Sequence, residues 1–290
     1  MERSEKGGGR VLDCFLPGMI TIDGRRGRYP AISITGRNCS LNCLHCKGYL
    51  LENMYHVSCP GELLETLRKL EAEGMLGVLL SGGCDREGRL PWGEYLPLLA
   101  GIDTSLYITA HAGLYVDEKT ARGLGKTVIR QVLIDVVGDP DTYREIYRLS
   151  DFERMEETIH NLFHYGPEVI PHIVVGIHRG QIRGEFRALE MLRPYNPRIV
   201  TLVVLMPGII SVDPPPIEEV LEVFRAARDM FRTVALGCAR PRGRYRYELE
   251  ERLISEGLID RMALWSDRAL KKAEEMGYVL NFKYTCCSVG

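Results

Sequence analysis

Short runs of apolar residues alternate with longer amphipathic segments along most of the chain. The amphipathic segments, such as residues 61–73 and 216–231, carry apolar residues at the i, i+3, i+4 and i+7 spacing of a helix that packs one face on a core. The short runs are rich in Ile, Val and Leu, which is typical of parallel strands covered on both sides. They occupy residues 31–34, 77–80, 105–110, 128–137, 169–177, 199–206, 233–236 and 262–265.

This alternation predicts an α/β fold. Eight strand–helix repeats indicate a (β/α)8 TIM-like barrel, or a partial (β/α)6 barrel with additional elements. We expect one barrel domain over residues 31–277, with an N-terminal extension over residues 1–30 and a C-terminal tail over residues 278–290 that carries Cys286 and Cys287. In such barrels the chemistry collects at the C-terminal ends of the strands, so the residues that follow each run are the candidates for function.

Composition and charge exclude several classes of protein. Hydrophobic residues make up 45% of the chain and charged residues 26%, which is enough to bury a sizeable core. Lys and Arg number 37 and Asp and Glu number 39, so there is no overall basic field that would attract nucleic acid. No apolar stretch approaches the roughly 20 residues of a transmembrane helix, and the first residues do not resemble a signal peptide. We therefore expect a cytoplasmic protein that binds neither nucleic acid nor membrane.

Nine cysteines are the first unusual feature of the composition. Without a secretion signal, metal ligation or redox chemistry is a better explanation for them than disulfide bonds. Cys39, Cys43 and Cys46 follow the first apolar run with the spacing C-x3-C-x2-C. Three thiolates in one loop can hold three corners of an iron–sulfur cluster and leave the fourth iron open. A zinc site with His45 as the fourth ligand is the alternative, although zinc ligands are seldom adjacent in sequence, as His45 and Cys46 are.

The spacing of Cys39, Cys43 and Cys46 after the first strand of a βα barrel resembles the radical S-adenosylmethionine (radical SAM) superfamily. The resemblance extends over about residues 31–265. It implies that the three cysteines hold a catalytic [4Fe-4S] cluster and that SAM chelates the open iron. It also implies that an electron from a ferredoxin-type donor cleaves SAM. The product is a 5′-deoxyadenosyl radical, which removes hydrogen from an unactivated C–H bond.

The same resemblance assigns residues after later strands to SAM binding. His45 stands where the superfamily usually has an aromatic residue whose backbone faces the adenine. Ser81-Gly82-Gly83 corresponds to the glycine motif at the SAM amino group, although Cys84 follows it where the superfamily usually has Glu. The remaining implied contacts are Asp135 to the ribose, Ile182 to the adenine from a Gly-x-Ile-x-Gly segment, and Leu205 and Met206 to the same base.

The other six cysteines include an adjacent pair, Cys286 and Cys287, near the end of a polar tail. An unpaired cysteine is usually a small buried hydrophobe, but a tail offers these two no core to fill. Cys238 follows the seventh run, at the predicted barrel mouth. A tail that folds across the mouth would bring all three together, which predicts a second, auxiliary iron–sulfur cluster. Further ligand candidates for that cluster are Cys14, Cys59 and Cys84.

The pattern as a whole resembles the archaeal biotin-synthase-related radical SAM proteins, among which are the paired subunits of a two-protein lipoyl synthase. That resemblance implies sulfur insertion into an octanoyl chain carried on a lysine of a carrier protein or peptide, with a paralogous radical SAM partner subunit. Two alternatives within the superfamily stay open. They are a biotin-synthase-like sulfurtransferase and an enzyme without sulfur insertion, such as a mutase, a dehydrogenase or a peptide-modifying enzyme. A zinc-stabilised binding module is the alternative from another class.

Overall fold

The computed structural model of the chain describes residues 9–207 and 211–289. Within these ranges the strands are β1 (Val11–Phe15), β2 (Thr21–Ile22), β3 (Arg25–Arg26), β4 (Ala31–Ser33), β5 (Tyr55–His56), β6 (Gly77–Ser81), β7 (Tyr107–His111), β8 (Ile129–Asp135), β9 (Glu168–Val175), β10 (Val200–Val204), β11 (Val234–Leu236), β12 (Arg261–Ala263) and β13 (Val279–Lys283). Strands β2 and β3 form an antiparallel hairpin around Asp23 and Gly24. The others join one sheet in the order β13-β1-β12-β11-β10-β9-β8-β7-β6-β4-β5, and all of its pairings are parallel.

Amphipathic helices cover the outer side of this sheet. Helix α1 begins at Pro60, whose missing N–H is harmless at a first helical position, and it buries Leu63, Leu67 and Leu70. The described helices are α1 (Pro60–Ala72), α2 (Trp92–Gly101), α3 (Glu118–Leu124), α4 (Pro140–Glu145), α5 (Glu153–Tyr165), α6 (Glu185–Leu192), α7 (Ile217–Met230), α8 (Arg244–Ser255) and α9 (Asp267–Glu275). Within the described ranges, none of them combines the length and the apolar character needed to cross a membrane.

The eight predicted strand runs are confirmed. They correspond to β4 and to β6 through β12, which follow one another across the sheet in chain order. The sheet curls into a half-barrel. Its edge strands are β5 and β13, and no pairing joins these two edges in the described residues. The partial radical SAM type of barrel is therefore the one observed, and the closed (β/α)8 alternative is wrong.

Both ends of the described chain add strands to the barrel sheet. Strand β1, from the N-terminal extension, pairs with β12 on one side and with β13 on the other. Its Leu12 and Cys14 are buried among the helix-facing residues, whereas Phe15 packs on the opposite face. Residues 1–8 of the extension lie outside the described residues.

Side chains on the concave face of the sheet are identified by strand alternation. On β8, Val132 and Ile134 pack under the helices, so Gln131, Leu133 and Asp135 point into the concavity. Part of this face is an apolar layer that consists of Leu79, Leu133, Ile170, Ile199 and Ala235. The same alternation turns polar side chains onto the concave face, among them His111, His172, Thr201 and Arg261.

Candidate functional site

The C-terminal edge of the parallel sheet carries the predicted cysteine motif. The loop after β4 contains Cys39, Cys43 and Cys46, and the loop after β6 lies beside it. The backbone carbonyl of Cys84 accepts hydrogen bonds from the N–H groups of Ser40 (2.8 Å) and Leu41 (3.1 Å). The loop after β6 therefore fixes the backbone of the motif.

Glycine is required at Gly83 because the two loops approach so closely. A Cβ atom at this position would lie 2.1 Å from the carbonyl oxygen of Asn38 and 2.5 Å from Cβ of Cys39. Its backbone N–H instead donates to the hydroxyl of Thr35 at 2.7 Å. Any side chain here would push the motif away from the sheet edge.

The motif itself curls around its thiols. The N–H groups of Cys46 (3.3 Å) and Lys47 (2.9 Å) both bond to the carbonyl of Cys43. Ligand atoms of Cys43, His45 and Cys46 lie within 4.8 Å of one another. Cys39 lies outside that compact set, but its Cβ would be 3.9 Å from a Cβ built on Gly48, so the two ends of the loop meet.

The thiols of this loop perturb one another strongly. A hydrogen bond from Cys43 and the neighbouring His45 lower the pKa of Cys46 to about 4, against the effect of burial. The pKa of Cys43 is raised, because this thiol keeps the shared proton, is buried and faces Cys46, Cys84 and Cys39. Thiolates concentrated in this way are the usual ligands of a soft metal or an iron–sulfur cluster.

An unsatisfied polar atom marks the same place. Nδ1 of His45 is buried and has no hydrogen-bond partner, and the ring packs on Tyr147 with 4.9 Å between centroids. Buried polar atoms are rarely left unpaired, and those that are often point to a bound group. Three thiols and an unpaired nitrogen on one loop thus fit a bound group that takes soft ligands.

Tyr147 is a site residue that the sequence analysis missed. Sγ of Cys43 lies 3.8 Å from the carbonyl oxygen of Tyr147, and the N–H of Leu44 donates to the carbonyl oxygen of Ile146 (2.8 Å). The pKa of the Tyr147 hydroxyl is raised by burial and then by the nearby charge of Asp135. This tyrosine follows α4 rather than a strand, so no spacing rule indicated it.

The predicted SAM-binding residues lie along the same sheet edge. Asp135 is the last residue of β8, and Leu205 and Met206 directly follow β10.

Ile182 lies in the loop after β9, and the buried carboxylate of Glu185 holds this loop. That carboxylate accepts hydrogen bonds from the N–H groups of Gly176 (2.7 Å), Arg183 (2.8 Å) and Gly184 (3.0 Å).

The C-terminal tail folds onto the concave face. Cys287 is buried against Phe15 and Ala263, and Cys286 packs beside it. The guanidinium of Arg261 donates to the carbonyl of Cys287 (3.1 Å) and to that of Val289 (2.9 Å). The end of the described chain is thereby tied to β12.

Cys238 lies close to this pair. It follows β11, and its pKa is raised first by desolvation of the thiol and then by the charge of Cys286. The pKa of Cys286 is lowered to about 6 by hydrogen bonds from Cys287 and Ser288. Cys238 and Cys286 are therefore near enough for their charges to influence each other. Among the described residues, the Cys43–His45–Cys46 set is the more compact group.

The other three cysteines lie elsewhere. Cys14 is buried on the helix side of β1, the face opposite to Cys287. Cys59 is exposed at the N-cap of α1. Cys84 belongs to the loop after β6, where burial and the neighbouring Cys39 raise its pKa to about 12.

A buried ion pair supports the segment that carries Cys238. The guanidinium of Arg240 contacts Glu250 Oε1 at 2.5 Å, and both side chains are almost fully buried. Its Nη1 donates to the carbonyl of Gly237 (2.8 Å), and the Nη2 that contacts Glu250 also lies within hydrogen-bond distance of the carbonyl oxygens of Ala263 (2.8 Å) and Leu264 (2.5 Å). Arg240 therefore joins the ends of β11 and β12 to α8.

Comparisons with known proteins agree with this geometry. The family described as the radical SAM superfamily matches residues 33–188, more than half of the chain. No curated protein matches the sequence. Methylornithine synthase (PylB) is a structural neighbour with a TM-score of 0.52 and 15% identity, covering 95% of this chain and 84% of PylB.

SuiB of Streptococcus suis is a second structural neighbour. Bound to S-adenosylmethionine it gives a TM-score of 0.55 at 13% identity, covering 76% of this chain and 52% of SuiB. Bound to its precursor peptide SuiA it gives 0.55 at 10% identity, covering 88% and 57%. The chain thus spans a little over half the length of SuiB, and these likenesses concern the fold alone.

The superfamily match begins at the end of β4 and includes the whole cysteine motif and its neighbouring loops. A [4Fe-4S] cluster and SAM are the cofactors that this match implies. With the half-barrel and the thiol-rich loop at its C-terminal edge, these findings lead to one conclusion. The chain belongs to the radical SAM superfamily, and it is a radical SAM enzyme.

Proposed function

We propose that this enzyme inserts sulfur at an unactivated carbon, as a lipoyl-synthase-type subunit. Its substrate is an octanoyl chain on a lysine of a carrier protein or peptide, and a paralogous radical SAM subunit is its partner. The observation that carries the proposal is the packing of Cys286 and Cys287 on the concave side of the half-barrel, with Cys238 near enough for its charge to influence theirs. A second cluster would need a second set of thiols of this kind, apart from Cys39, Cys43 and Cys46.

Cys39, Cys43 and Cys46 are the proposed ligands of the catalytic cluster. When bound, cluster and SAM supply a 5′-deoxyadenosyl radical at the expense of one electron from a ferredoxin-type donor. Gly83 and Thr35 hold the motif at the sheet edge. The proposed contacts to SAM are those of His45, Ser81, Gly82, Gly83, Asp135, Ile182, Leu205 and Met206, which share that edge.

Cys238, Cys286 and Cys287 are the proposed ligands of an auxiliary cluster that gives up its sulfide. Cys286 is the thiol of this group with a lowered pKa, so it is the first to become a ligand. Arg261 holds the tail through the backbone carbonyls of Cys287 and Val289. The cysteine side chains therefore remain available to bind iron. Cys14 faces the opposite side of the sheet, Cys84 belongs to the catalytic loop and Cys59 lies at α1, so these three are not in the proposed set.

Counting iron and sulfide after anaerobic reconstitution tests the proposal. Two cubane clusters correspond to about eight irons per chain. We expect the double variant Cys286→Ser, Cys287→Ser to lose about four of them while it still cleaves SAM. The matched control is Cys59→Ser, a change at an exposed cysteine that retains all of them. A wild-type count of about four irons contradicts the auxiliary cluster and with it the proposed sulfur source.

A second candidate is peptide modification without sulfur insertion. The fold neighbour SuiB binds a precursor peptide, and the concave face here carries polar side chains suited to a peptide. A modified peptide without added sulfur, together with the lower iron count, would support this candidate. Sulfur in the product would exclude it.

A further inference from the structure

Three polar side chains form a row across the concave face. Asp135 on β8 pairs with His172 on β9, and His172 pairs with Thr201 on β10. Their neighbours along each strand, such as Ile173 and Leu202, are buried under the helices. The row therefore points into the half-barrel, where Asp135 and His172 are only half-buried.

The hydrogen-bonding state of His172 follows from its surroundings. Its Nδ1 lies 3.1 Å from the carbonyl oxygen of Ile170, which can only accept, so Nδ1 carries the hydrogen. Burial first, and then His111, lower the pKa of His172 to about 4, and Asp135 opposes them weakly. The ring is neutral at pH 7. Its Nε2 is therefore a hydrogen-bond acceptor on a side chain of the concave face.

One polar atom of the row lacks a partner. The hydroxyl of Thr201 is fully buried and makes no hydrogen bond. Buried polar groups of this kind are normally paired, which indicates that a ligand completes this one.

We propose that His172 and Thr201 bind the amide that links the acyl chain to its carrier lysine. The amide N–H donates to Nε2 of His172, and the Thr201 hydroxyl donates to the amide carbonyl. The identity of the acyl chain rests on the proposed function. The acceptor of His172 and the hydroxyl of Thr201 together match the N–H and the carbonyl of any secondary amide.

The same row disfavours a free acid. A carboxylate has no hydrogen to give to Nε2 of His172, and it would meet the like charge of Asp135 in the same row. The row therefore selects the amide-linked acyl chain over free octanoate. This discrimination depends on the substrate's polar group and not on its alkyl chain.

Equilibrium binding tests this assignment. Anaerobically reconstituted enzyme is titrated with an octanoyl-lysyl peptide, with the unmodified peptide and with octanoate. We expect octanoate to bind at least about tenfold more weakly than the octanoyl peptide. Thr201→Val keeps the shape of the side chain and removes its hydroxyl, so it weakens peptide binding about three- to tenfold. His172→Gln retains an acceptor and is expected to bind better than His172→Phe, and His160→Phe on the exposed face of α5 is the control.

Equal affinity for octanoate and octanoyl peptide, or unchanged peptide affinity in Thr201→Val, overturns the assignment. If His172→Phe fails to fold, as shown by its iron content and SAM cleavage, Thr201→Val still decides. The enzyme could insert sulfur while the Thr201 and His172 variants bind the octanoyl peptide as tightly as the wild type does. That result would support the proposed function and contradict this inference. The wild type could instead prefer the octanoyl peptide, and lose this preference in the variants, without inserting sulfur. That result would support this inference and contradict the proposed function.

Discussion

The two thiol groups of this enzyme are built in different ways. Cys39, Cys43 and Cys46 come from eight consecutive residues, and main-chain hydrogen bonds from the loop after β6 hold them. Cys238 and the pair Cys286–Cys287 come from segments almost fifty residues apart, which the sheet and Arg261 bring together. A local motif keeps its geometry when distant parts of the chain change, whereas an assembled one depends on every contact between its segments.

Both groups nevertheless share one electrostatic pattern. In the catalytic loop a hydrogen bond from Cys43 lowers the pKa of Cys46 to about 4. In the tail a hydrogen bond from Cys287 lowers the pKa of Cys286 to about 6. The partner thiols, Cys43 and Cys287, have raised pKa values because they keep the proton and are buried. Because one group is local and the other is assembled from distant segments, a mutation at one group should leave the iron content of the other unchanged. The shared pattern of pKa shifts predicts that each group binds iron.

The largest effect is expected from Cys46→Ala. It removes the thiol with the lowest pKa of the catalytic loop, so the enzyme should lose about four irons and all production of 5′-deoxyadenosine. Chromatography of the SAM cleavage products measures this. Iron at the tail thiols should remain, and loss of all iron would show that the two groups are not independent.

Arg240→Met should be the most destabilising change on the tail side. It leaves the carboxylate of Glu250 buried with only Arg246 and the hydroxyl of Ser266 as partners, and it frees the carbonyls at the ends of β11 and β12. Removing one partner of a buried pair costs about 3–5 kcal/mol of the free energy of unfolding. Denaturant titration measures it, and a loss below about 1 kcal/mol would contradict the role of this pair.

Gly83→Ala tests how tightly the catalytic loop is held. The added Cβ would overlap the backbone of Asn38, so we expect a loss of about 1–3 kcal/mol together with weaker cluster retention. The matched control is Gly93→Ala in α2, where a Cβ would meet nothing within 4 Å. Equal iron content in the two variants would show that the motif tolerates displacement.

Arg261→Met should affect the tail thiols and spare the catalytic loop. The variant loses the hydrogen bonds from the charged guanidinium to the carbonyls of Cys287 and Val289. Hydrogen bonds from a charged donor contribute about 1.5–3 kcal/mol to stability, so the tail should detach from β12. Iron should fall toward the single-cluster count while the rate of SAM cleavage stays at the wild-type value. A parallel fall in both would mean that the two groups are coupled.

The last effect concerns pH and His172. Its pKa is lowered in the folded protein to about 4, so between pH 6.5 and pH 4 the unfolded chain binds a proton that the folded chain does not. Stability should therefore fall as pH drops through this window, by no more than about 3 kcal/mol. The Tm of His172→Gln should decline less steeply over the same range than that of the wild type. Parallel declines would contradict the lowered pKa.

Most of the barrel could be predicted from sequence because its eight central strands lie in runs that are rich in apolar residues. Strands β1 and β13 were not predicted, since Val11–Phe15 and Val279–Lys283 mix polar and apolar residues and become strands by pairing with each other and with β12. The catalytic motif was visible because its spacing is local. Tyr147 and Arg261 were not, because their contacts join segments that are distant in sequence.

Isotope labelling tests most directly whether the tail thiols hold the sulfur that enters the product. The enzyme is reconstituted with ³⁴S-sulfide, freed of excess sulfide, and incubated anaerobically with SAM, a strong reductant and an octanoyl-lysyl peptide. Mass spectrometry should find ³⁴S in the wild-type product and none with the Cys286→Ser, Cys287→Ser variant, although both cleave SAM. Formation of 5′-deoxyadenosine by the wild type without labelled sulfur in the peptide would contradict the proposal.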